Sequence, residues 1–173
     1  MNRRKVTAGV MAAVCCASVL FCFPAISGTV SAAELVRNDF EVNYGGWYGN
    51  ADAVALTAED GIGHNMSRGM SVTGRTGTSD GASAEKGFYL SGGETYTYSV
   101  WVYSETAERF HLSLSCADLD TAQESETELT AKQTRAGKWT KLSASYRAPE
   151  NSGEFRLTIT TDSTNDFVFD DVT

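Results

Sequence analysis

The last seven residues of the chain, FVFDDVT, place two carboxylates beside a predicted strand. The alternation Phe–Val–Phe has the two-residue period of a β-strand with at least one buried face. Asp170 and Asp171 follow directly. Because an unpaired buried carboxylate costs several kcal/mol or titrates at a shifted pKa, we expect Asp170 to have a partner. Arg37 is one candidate.

The histidines and acids offer no recognisable catalytic arrangement. His64 lies in the turn-like GIGHNMS and His111 alternates out of a strand, and neither has a Ser or Cys nearby in a nucleophile setting. The segments HNM and FHL lack the spacing of zinc ligands. Glycoside hydrolysis needs two carboxylates that flank the scissile glycosidic bond. The acidic residues whose place in the sequence suggests a fixed position in the fold are instead assigned to a metal ion below. We therefore expect this segment not to be an enzyme.

A two-residue period runs through almost the whole chain. Strands are predicted in RGMSVTGR, TYTYSVWVY, FHLSLSC, KWTKLSASYRA and EFRLTITTD. Turn residues separate them in EDGIG, TSDGAS, LSGGET, RAGK and PENSGE, and the acidic patch TAQESETE is typical of a loop or an edge strand. No window predicts an amphipathic helix. This pattern predicts an all-β fold, an antiparallel β-sandwich of the jelly-roll type.

Residues 1–33 are typical of a secretory signal peptide. A basic start, RRK, precedes a largely apolar run over residues 6–26, and Ser31 and Ala33 fit the −3 and −1 positions of a cleavage site. No basic stop-transfer flank follows the apolar run. We expect the mature chain to be secreted and not anchored in a membrane.

The mature chain, residues 34–173, has the size of one domain. It contains 11 basic and 22 acidic residues, a net charge of −11, which argues against binding to nucleic acid or to anionic membranes. Cys116 is its one cysteine, so no intrachain disulfide can form. In FHLSLSC it is expected to act as a small apolar residue rather than a catalytic one.

Several stretches together resemble a known family. They are NDFE followed by GGW, then SRGMSVTGRTGTSDG, LSGGETYTYSVWVY, KWTKLSASYRAPE and FVFDDV, in that order. The chain resembles the xylan-binding carbohydrate-binding modules of family 22, within the wider group of jelly-roll modules in bacterial plant-cell-wall enzymes. The resemblance covers nearly all of the mature chain. It implies a β-sandwich with a structural calcium ion and a sugar-binding groove on its concave face.

The resemblance assigns a calcium ion to two of the carboxylates. Glu41 and Asp170 fall at the positions that share the ion in the family, and the carbonyls of Asp39 and Asn65 are implied as further ligands, with the Asp39 side chain as an extra one. Carboxylates and carbonyls are the oxygen ligands that calcium prefers. The alternative is a plain ion pair between Asp170 and Arg37.

The sequence departs from the family at the sugar-binding positions. The xylan binders carry Arg, Trp, Tyr and Glu there, and the residues found here are Asn50, Ser79, Glu126 and Thr160. Tryptophan supplies a flat apolar face that stacks on a pyranose ring, whereas Ser79 cannot stack. The resemblance therefore supports the fold more strongly than it supports a specificity for xylan.

Other aromatic residues are candidates to form a stacking surface. Trp101 and Tyr103 share the less apolar face of their strand, which is either open or a second buried face. Tyr48 and Tyr89 lie next to turns and are also candidates. Trp139, like Trp47, falls at an aromatic core position of the family, so we expect both in the core.

Four polar residues complete the predicted sugar site. Hydrogen bonds to sugar hydroxyls could come from Arg75, Asp80, Arg156 and Thr158, although each could equally be an ordinary surface residue.

These observations predict a monomeric, non-catalytic module that binds a β-linked plant-cell-wall polysaccharide of the xylan or β-glucan type. We expect it to be covalently linked to further domains of a secreted glycoside hydrolase or cell-wall-assembly protein. Family domains continue a few residues past DDV, so the last strand reads as cut at Thr173. The alternative is a structural spacer or stabilising domain without significant sugar affinity.

Overall fold

The computed structural model describes residues 37–43, 45–84, 87–118, 124–150 and 152–173. The predicted signal peptide, residues 1–33, lies outside this part of the chain. The described residues belong to one compact unit, Ala33–Thr173. Within these ranges no helix has the length and apolarity that crossing a bilayer requires.

Strands dominate the described residues, which contain one short 3₁₀ turn, His64–Met66. The strands in chain order are β1 (Trp47–Gly49), β2 (Ala55–Glu59), β3 (Gly69–Thr73), β4 (Ala82–Ala84), β5 (Phe88–Tyr89), β6 (Thr95–Tyr103), β7 (Arg109–Asp118), β8 (Glu124–Gln133), β9 (Thr140–Arg147), β10 (Ser152–Thr161) and β11 (Phe167–Asp170).

The strands form two antiparallel sheets. The six-stranded sheet has the order β1-β4-β10-β7-β8, with β5 also paired to β10, and the five-stranded sheet has the order β2-β3-β11-β6-β9. The inner faces of the two sheets enclose a single cluster of buried apolar residues, as in a sandwich of two packed sheets. The predicted antiparallel β-sandwich is confirmed.

The two-residue alternation decides which side chains enter the core. In the six-stranded sheet, Leu114 is opposite Leu157 and Leu112 is opposite Ile159, and all four are buried. A slip of one residue would turn these side chains towards solvent. The register is therefore set by burial of the apolar row, and the serines and threonines between these residues point outward.

The first described residues pack against the last strand. Asn38 bridges to Val172, and the ring of Phe40 meets Phe169 edge to face with centroids 5.2 Å apart. Trp47 is 7% exposed, with its ring centroid 4.8 Å from that of Phe169. The prediction that Trp47 belongs to the core is confirmed.

The same prediction for Trp139 is wrong. Leu142 of β9 faces the core, so Trp139, three positions earlier, lies on the outer side of the five-stranded sheet, where it is partly exposed. Its ring centroid lies 5.5 Å from that of Tyr103. Cys116 is buried in the core and forms no disulfide within the described part of the chain. The described end of the acidic patch begins β8, an edge strand.

Candidate functional site

Asp170 lies on the outer side of the five-stranded sheet but has no exposed surface. It is the register partner of Trp101, and its exposed fraction is 0%. One carboxylate oxygen, Oδ2, accepts hydrogen bonds from the His64 N–H at 2.9 Å and the Ser67 hydroxyl at 2.7 Å. The other, Oδ1, accepts from the Asp171 N–H at 2.7 Å. Burial raises the pKa of the Asp170 carboxyl, although these donors oppose the shift.

The turn of residues 60–68 covers Asp170. The turn can cross close above the sheet because Gly63 in the turn and Gly69 in β3 have no side chains that would hold the two backbones apart. A Cβ atom on Gly69 would lie 2.7 Å from the Gly63 Cα, a distance that real Cβ contacts essentially never show. The turn in this way carries the His64 N–H and the Ser67 hydroxyl onto the carboxylate.

Glu41 reaches the same turn from the opposite end of the chain. Its Oε1 accepts a hydrogen bond from the Arg68 N–H at 2.8 Å. The turn therefore connects the two carboxylates that the sequence assigns to a metal ion. Several residues around it have a positive φ, which non-glycine residues rarely adopt: Phe40 (56°), Asn65 (61°), Met66 (64°) and Asp171 (49°).

The predicted ion pair between Asp170 and Arg37 is not formed. The Arg37 Nε lies 3.7 Å from an Asp39 carboxylate oxygen instead, and the described residues place no Lys, Arg or His side chain in an ion pair with Asp170. Asp39 also accepts a hydrogen bond from the Glu41 N–H at 3.4 Å.

The remaining predicted ligand, Asn65, is exposed and its amide nitrogen lies 3.3 Å from the His64 Nδ1. In the described part of the chain no cluster of three or more His, Cys, Asp and Glu side chains is arranged to hold a metal. An ion here would therefore depend on backbone carbonyls in addition to Glu41 and Asp170, as a calcium site can.

Trp101 and Tyr103 form part of an aromatic cluster, which we define as Trp101, Tyr103, Trp139 and His64. The His64 ring stacks on Trp101 with centroids 3.8 Å apart and planes inclined by 16°. All four residues are partly buried. The cluster lies on the outer side of the five-stranded sheet, and His64 already occupies one face of the Trp101 indole.

The outer side of the six-stranded sheet is polar, and we call it the polar face. Five residues form one row across it by strand register: Tyr48, Ser83, Thr158, Ser113 and Glu128. The Ser83 and Thr158 hydroxyls lie 2.8 Å apart.

Further rows lie on either side of this one. Arg156, Ser115 and Glu126 form the next row, and Thr160 and His111 are paired beyond Thr158. Tyr89 is paired with Glu154 on β10 and therefore belongs to the same face.

Side chains at the centre of the polar face are less exposed than those at its margins. Ser83 and Ser113 point away from the core but are only 5% and 8% exposed, so larger neighbours enclose them. On one margin Tyr48 is 39% and Tyr89 is 74% exposed. On the opposite margin, in edge strand β8, Glu126 and Glu128 are also exposed. Small hydroxyl side chains thus line a shallow polar depression with tyrosines on one flank.

His111 links two carboxylates at the β8 side of the polar face. Its Nδ1 lies 2.6 Å from Glu128 and its Nε2 lies 2.8 Å from Asp162. Burial lowers the pKa of His111, but the hydrogen bonds and charges of Glu128 and Asp162 outweigh that effect and raise the pKa above its ordinary value.

Two of the four positions that the resemblance assigns to sugar binding, Glu126 and Thr160, lie on the polar face, and the other two lie in connections next to strands of this sheet. Glu126 is in β8 and Thr160 in β10, while Asn50 follows β1 and Ser79 precedes β4. Asn50 is fixed in place, since its side chain donates to the Ser79 carbonyl at 3.0 Å and accepts from the Gly81 N–H at 2.6 Å.

Arg75 and Asp80 make contacts within the protein. Arg75 is 6% exposed, and its guanidinium donates to the Asp80 carbonyl at 2.8 Å, the Thr161 hydroxyl at 2.7 Å and the Asn165 carbonyl at 2.7 Å. Burial lowers the pKa of Arg75.

The Asp80 carboxylate accepts from the N–H groups of Thr76 and Gly77, both at 2.8 Å, which lowers its pKa. Both bonds end on the same carboxylate oxygen, Oδ2, so they orient Asp80 without using Oδ1.

Four residues of the polar face are not among the site residues predicted from the sequence. They are Ser83, Ser113, Ser115 and Glu128. The signal was present in FHLSLSC and EFRLTITT, where Ser and Thr alternate with core residues. The sequence does not show that β7 pairs with β10, and it is this pairing that places the serines and threonines side by side.

The sequence model of the family described as "Carbohydrate binding domain" matches residues 32–166 of the chain. Among curated proteins, endo-1,4-beta-xylanase Y of Acetivibrio thermocellus is 44% identical over 176 residues, which cover 100% of this chain and 16% of that protein.

Solved structures give the same result. The CBM22-1 and GH10 modules of Clostridium thermocellum endo-1,4-beta-D-xylanase 10B, complexed with xylohexaose, match at a TM-score of 0.78 and 46% identity, over 82% of this chain and 28% of that one. The CBM22-2 xylan-binding domain of Paenibacillus barcinonensis Xyn10C matches at a TM-score of 0.73 and 26% identity, over 81% and 98%. The chain spans less than a third of the length of the two xylanase relatives.

Proposed function

Since the chain belongs to the carbohydrate binding domain family, we propose that it is a non-catalytic module that binds xylan or a related β-linked plant-cell-wall polysaccharide through the polar face. The observation that carries this proposal is the depression lined by Ser83, Ser113 and Thr158 with Tyr48 on its flank. The relatives that support the substrate class are described as xylanases and as a xylan-binding domain.

The chemistry of the polar face suits a sugar chain. A pyranose ring presents hydroxyl groups at its edge and C–H groups on its faces. Small hydroxyl side chains can exchange hydrogen bonds with the former, and a tyrosine ring can pack on the latter at about 1 kcal/mol per contact. Ligand sites commonly combine such an apolar surface with a few placed polar groups.

The expected affinity is low. Ser79 stands at the tryptophan position of the resembled family, so stacking would fall to Tyr48 and Tyr89, and the Arg75 guanidinium is engaged within the protein. Two or three stacking contacts, less the cost of ordering a flexible chain, correspond to dissociation constants in about the micromolar-to-millimolar range. We expect xylan to bind no better than mixed-linkage glucan or xyloglucan.

The aromatic cluster remains the second candidate surface for the same function. Trp101 and Tyr103 are partly exposed, as a stacking surface requires. The stacking of His64 on Trp101 at 3.8 Å favours the polar face over this cluster, because a sugar would have to displace the imidazole or use the other side of the indole.

Affinity electrophoresis of the mature domain against xylan, mixed-linkage glucan and xyloglucan tests the proposal. Parent protein should be retarded, the Tyr48→Ala/Tyr89→Ala variant should lose most of the retardation, and the matched Trp101→Ala/Tyr103→Ala variant should keep it. Retardation of no protein in any gel would instead support a spacer domain, and loss in the second variant alone would move the site to the aromatic cluster.

A calcium ion bound by Glu41 and Asp170 completes the proposal. Both carboxylates contact the turn of residues 60–68, and Asp170 is buried without an ion pair among the described residues. Calcium would supply the missing positive charge, with the carbonyls of Asp39 and Asn65 as further ligands. The xylanase relatives also support a place for this module in a larger glycoside hydrolase, and the predicted signal peptide would direct its export.

A further inference from the structure

Carboxylates outnumber cations on the polar face. Glu126 and Glu128 of β8 and Asp162 after β10 line one side of it, and we call these three the acidic rim. Their side chains project into solvent, with Glu128 53% and Asp162 63% exposed. The field of these carboxylates acts on any ligand that lies in the depression.

Two positive groups on this face, Arg156 and His111, are already engaged, and a third, the exposed Arg109, lies beyond His111 at the start of β7. Arg156 lies between Thr158 and Glu154 along β10, and its Nη2 is 3.8 Å from a Glu154 carboxylate oxygen. His111 has Glu128 on one ring nitrogen and Asp162 on the other. Even with His111 protonated, the group formed by His111 and its two carboxylates carries a net negative charge, and Glu126 adds to it.

We propose that the acidic rim makes the module selective for uncharged stretches of polysaccharide, so that chains carrying uronic-acid substituents bind more weakly. This inference rests on the proposed polar-face function and specifies its ligand class. A neutral xylose chain passes the rim without electrostatic cost. A uronate placed within several ångströms of two or three carboxylates is repelled, by about 3- to 10-fold in affinity at low ionic strength.

Isothermal titration calorimetry compares xylohexaose with a xylo-oligosaccharide of the same backbone length that carries one glucuronic acid. At about 10 mM salt the acidic ligand should bind about 3- to 10-fold more weakly, and at about 150 mM salt the difference should shrink because screening is stronger. Glu126→Gln and Glu126→Gln/Glu128→Gln should narrow this difference stepwise, and the readout is the ratio of the two affinities measured for each variant rather than the xylohexaose affinity itself. Glu59→Gln, an exposed acid on the other sheet, is the matched control.

The outcomes separate the inference from the function on which it rests. Equal binding of both ligands, or a difference that the rim variants leave intact, overturns the selectivity alone. Tighter binding of the acidic ligand also overturns it and assigns recognition to Arg156, which Arg156→Gln would then abolish. Failure of xylohexaose to bind at any salt concentration overturns the polar-face function and the inference together. The single Glu126→Gln change keeps the His111–Glu128 contact, so the test survives if the double variant is unstable.

Discussion

Asp170 and Arg75 show what single residues reveal before a structure is known. The position of Asp170 next to FVF correctly predicted a carboxylate that needs partners, but two of its three donors come from residues about a hundred positions earlier. No local pattern contains such a contact. Arg75 and Asp80 stand close together in sequence, in TGRTGTSDG, and nothing in that segment reveals that the guanidinium is buried against Thr161.

Replacement of Arg75 should affect stability rather than sugar binding. Arg75→Ala leaves the carbonyls of Asp80 and Asn165 without the guanidinium donor, and unsatisfied buried groups cost about 1–3 kcal/mol each. We expect a loss of about 3 kcal/mol and a melting temperature lower by about 10 °C, measured by circular dichroism. Arg156→Ala, at a more exposed arginine, should change stability by less than about 0.5 kcal/mol. An Arg75→Ala variant that melts normally but fails to bind xylan would contradict this account.

The His111 bridge should make stability depend on pH. Its pKa is raised in the folded protein, so its contribution is fully present below the unfolded value of about 6.5 and is lost as the pH rises through the folded value. The melting temperature of His111→Gln should therefore fall further below that of the parent at about pH 5.5 than at about pH 8.5. Since both partner carboxylates are more than half exposed, the effect should stay below about 1 kcal/mol. A difference independent of pH would argue against a charged bridge.

At the scale of strands and turns, the sequence predicted the strands well and the turn of residues 60–68 poorly. Alternation in TYTYSVWVY separated the core-facing Val100 and Val102 from Trp101 and Tyr103 correctly. The same rule, applied outward from Leu142, places Trp139 on the outer side, whereas the core pattern of the resembled family predicts it inside. The segment EDGIGHNMS reads as an ordinary surface turn, and its position over the sheet depends on the close approach of Gly63 to Gly69.

Gly69→Ala should disturb this turn. The new Cβ would meet the Gly63 backbone at 2.7 Å, so the turn must shift away from the sheet, at a cost of about 1–3 kcal/mol. We expect a lower melting temperature together with a changed tryptophan fluorescence, because His64 would move relative to Trp101. Gly77→Ala is the control, since its nearest added contact is an ordinary 3.4 Å to a side chain. Equal melting curves for the two variants would show that the turn is not held close.

Calcium should stabilise the folded domain if Glu41 and Asp170 share it. Binding to the native state alone contributes about 2.7 kcal/mol at a hundredfold excess over Kd, which corresponds to several degrees in melting temperature. Glu41→Gln should abolish the calcium-dependent rise. Asp60→Asn, which removes an exposed carboxylate of the same turn (92% exposed), should retain it. A parent melting curve that is identical in calcium and in chelator would exclude the site.

At the scale of the whole molecule, composition and period were sufficient to predict the sandwich but not its binding surface. Both sheets have an apolar inner side and a polar outer side, so alternation alone cannot rank the two outer sides. Strand order distinguishes the two outer sides, because it brings the serines and threonines of β4, β7 and β10 together on the six-stranded sheet. The turn of residues 60–68 covers part of the outer side of the other sheet. That order follows from contacts between residues far apart in sequence.

The most direct test of the polar face is chemical-shift mapping by NMR of the ¹⁵N-labelled mature domain titrated with xylohexaose, which locates the ligand without any mutation. We predict that the amide signals of Ser83, Ser113 and Thr158 shift progressively with ligand concentration, whereas those of Trp101 and Tyr103 stay in place. Shifts confined to Trp101, Tyr103 and Trp139 would contradict the account by moving the site to the other sheet. Unchanged spectra at millimolar ligand would contradict carbohydrate binding by this domain altogether.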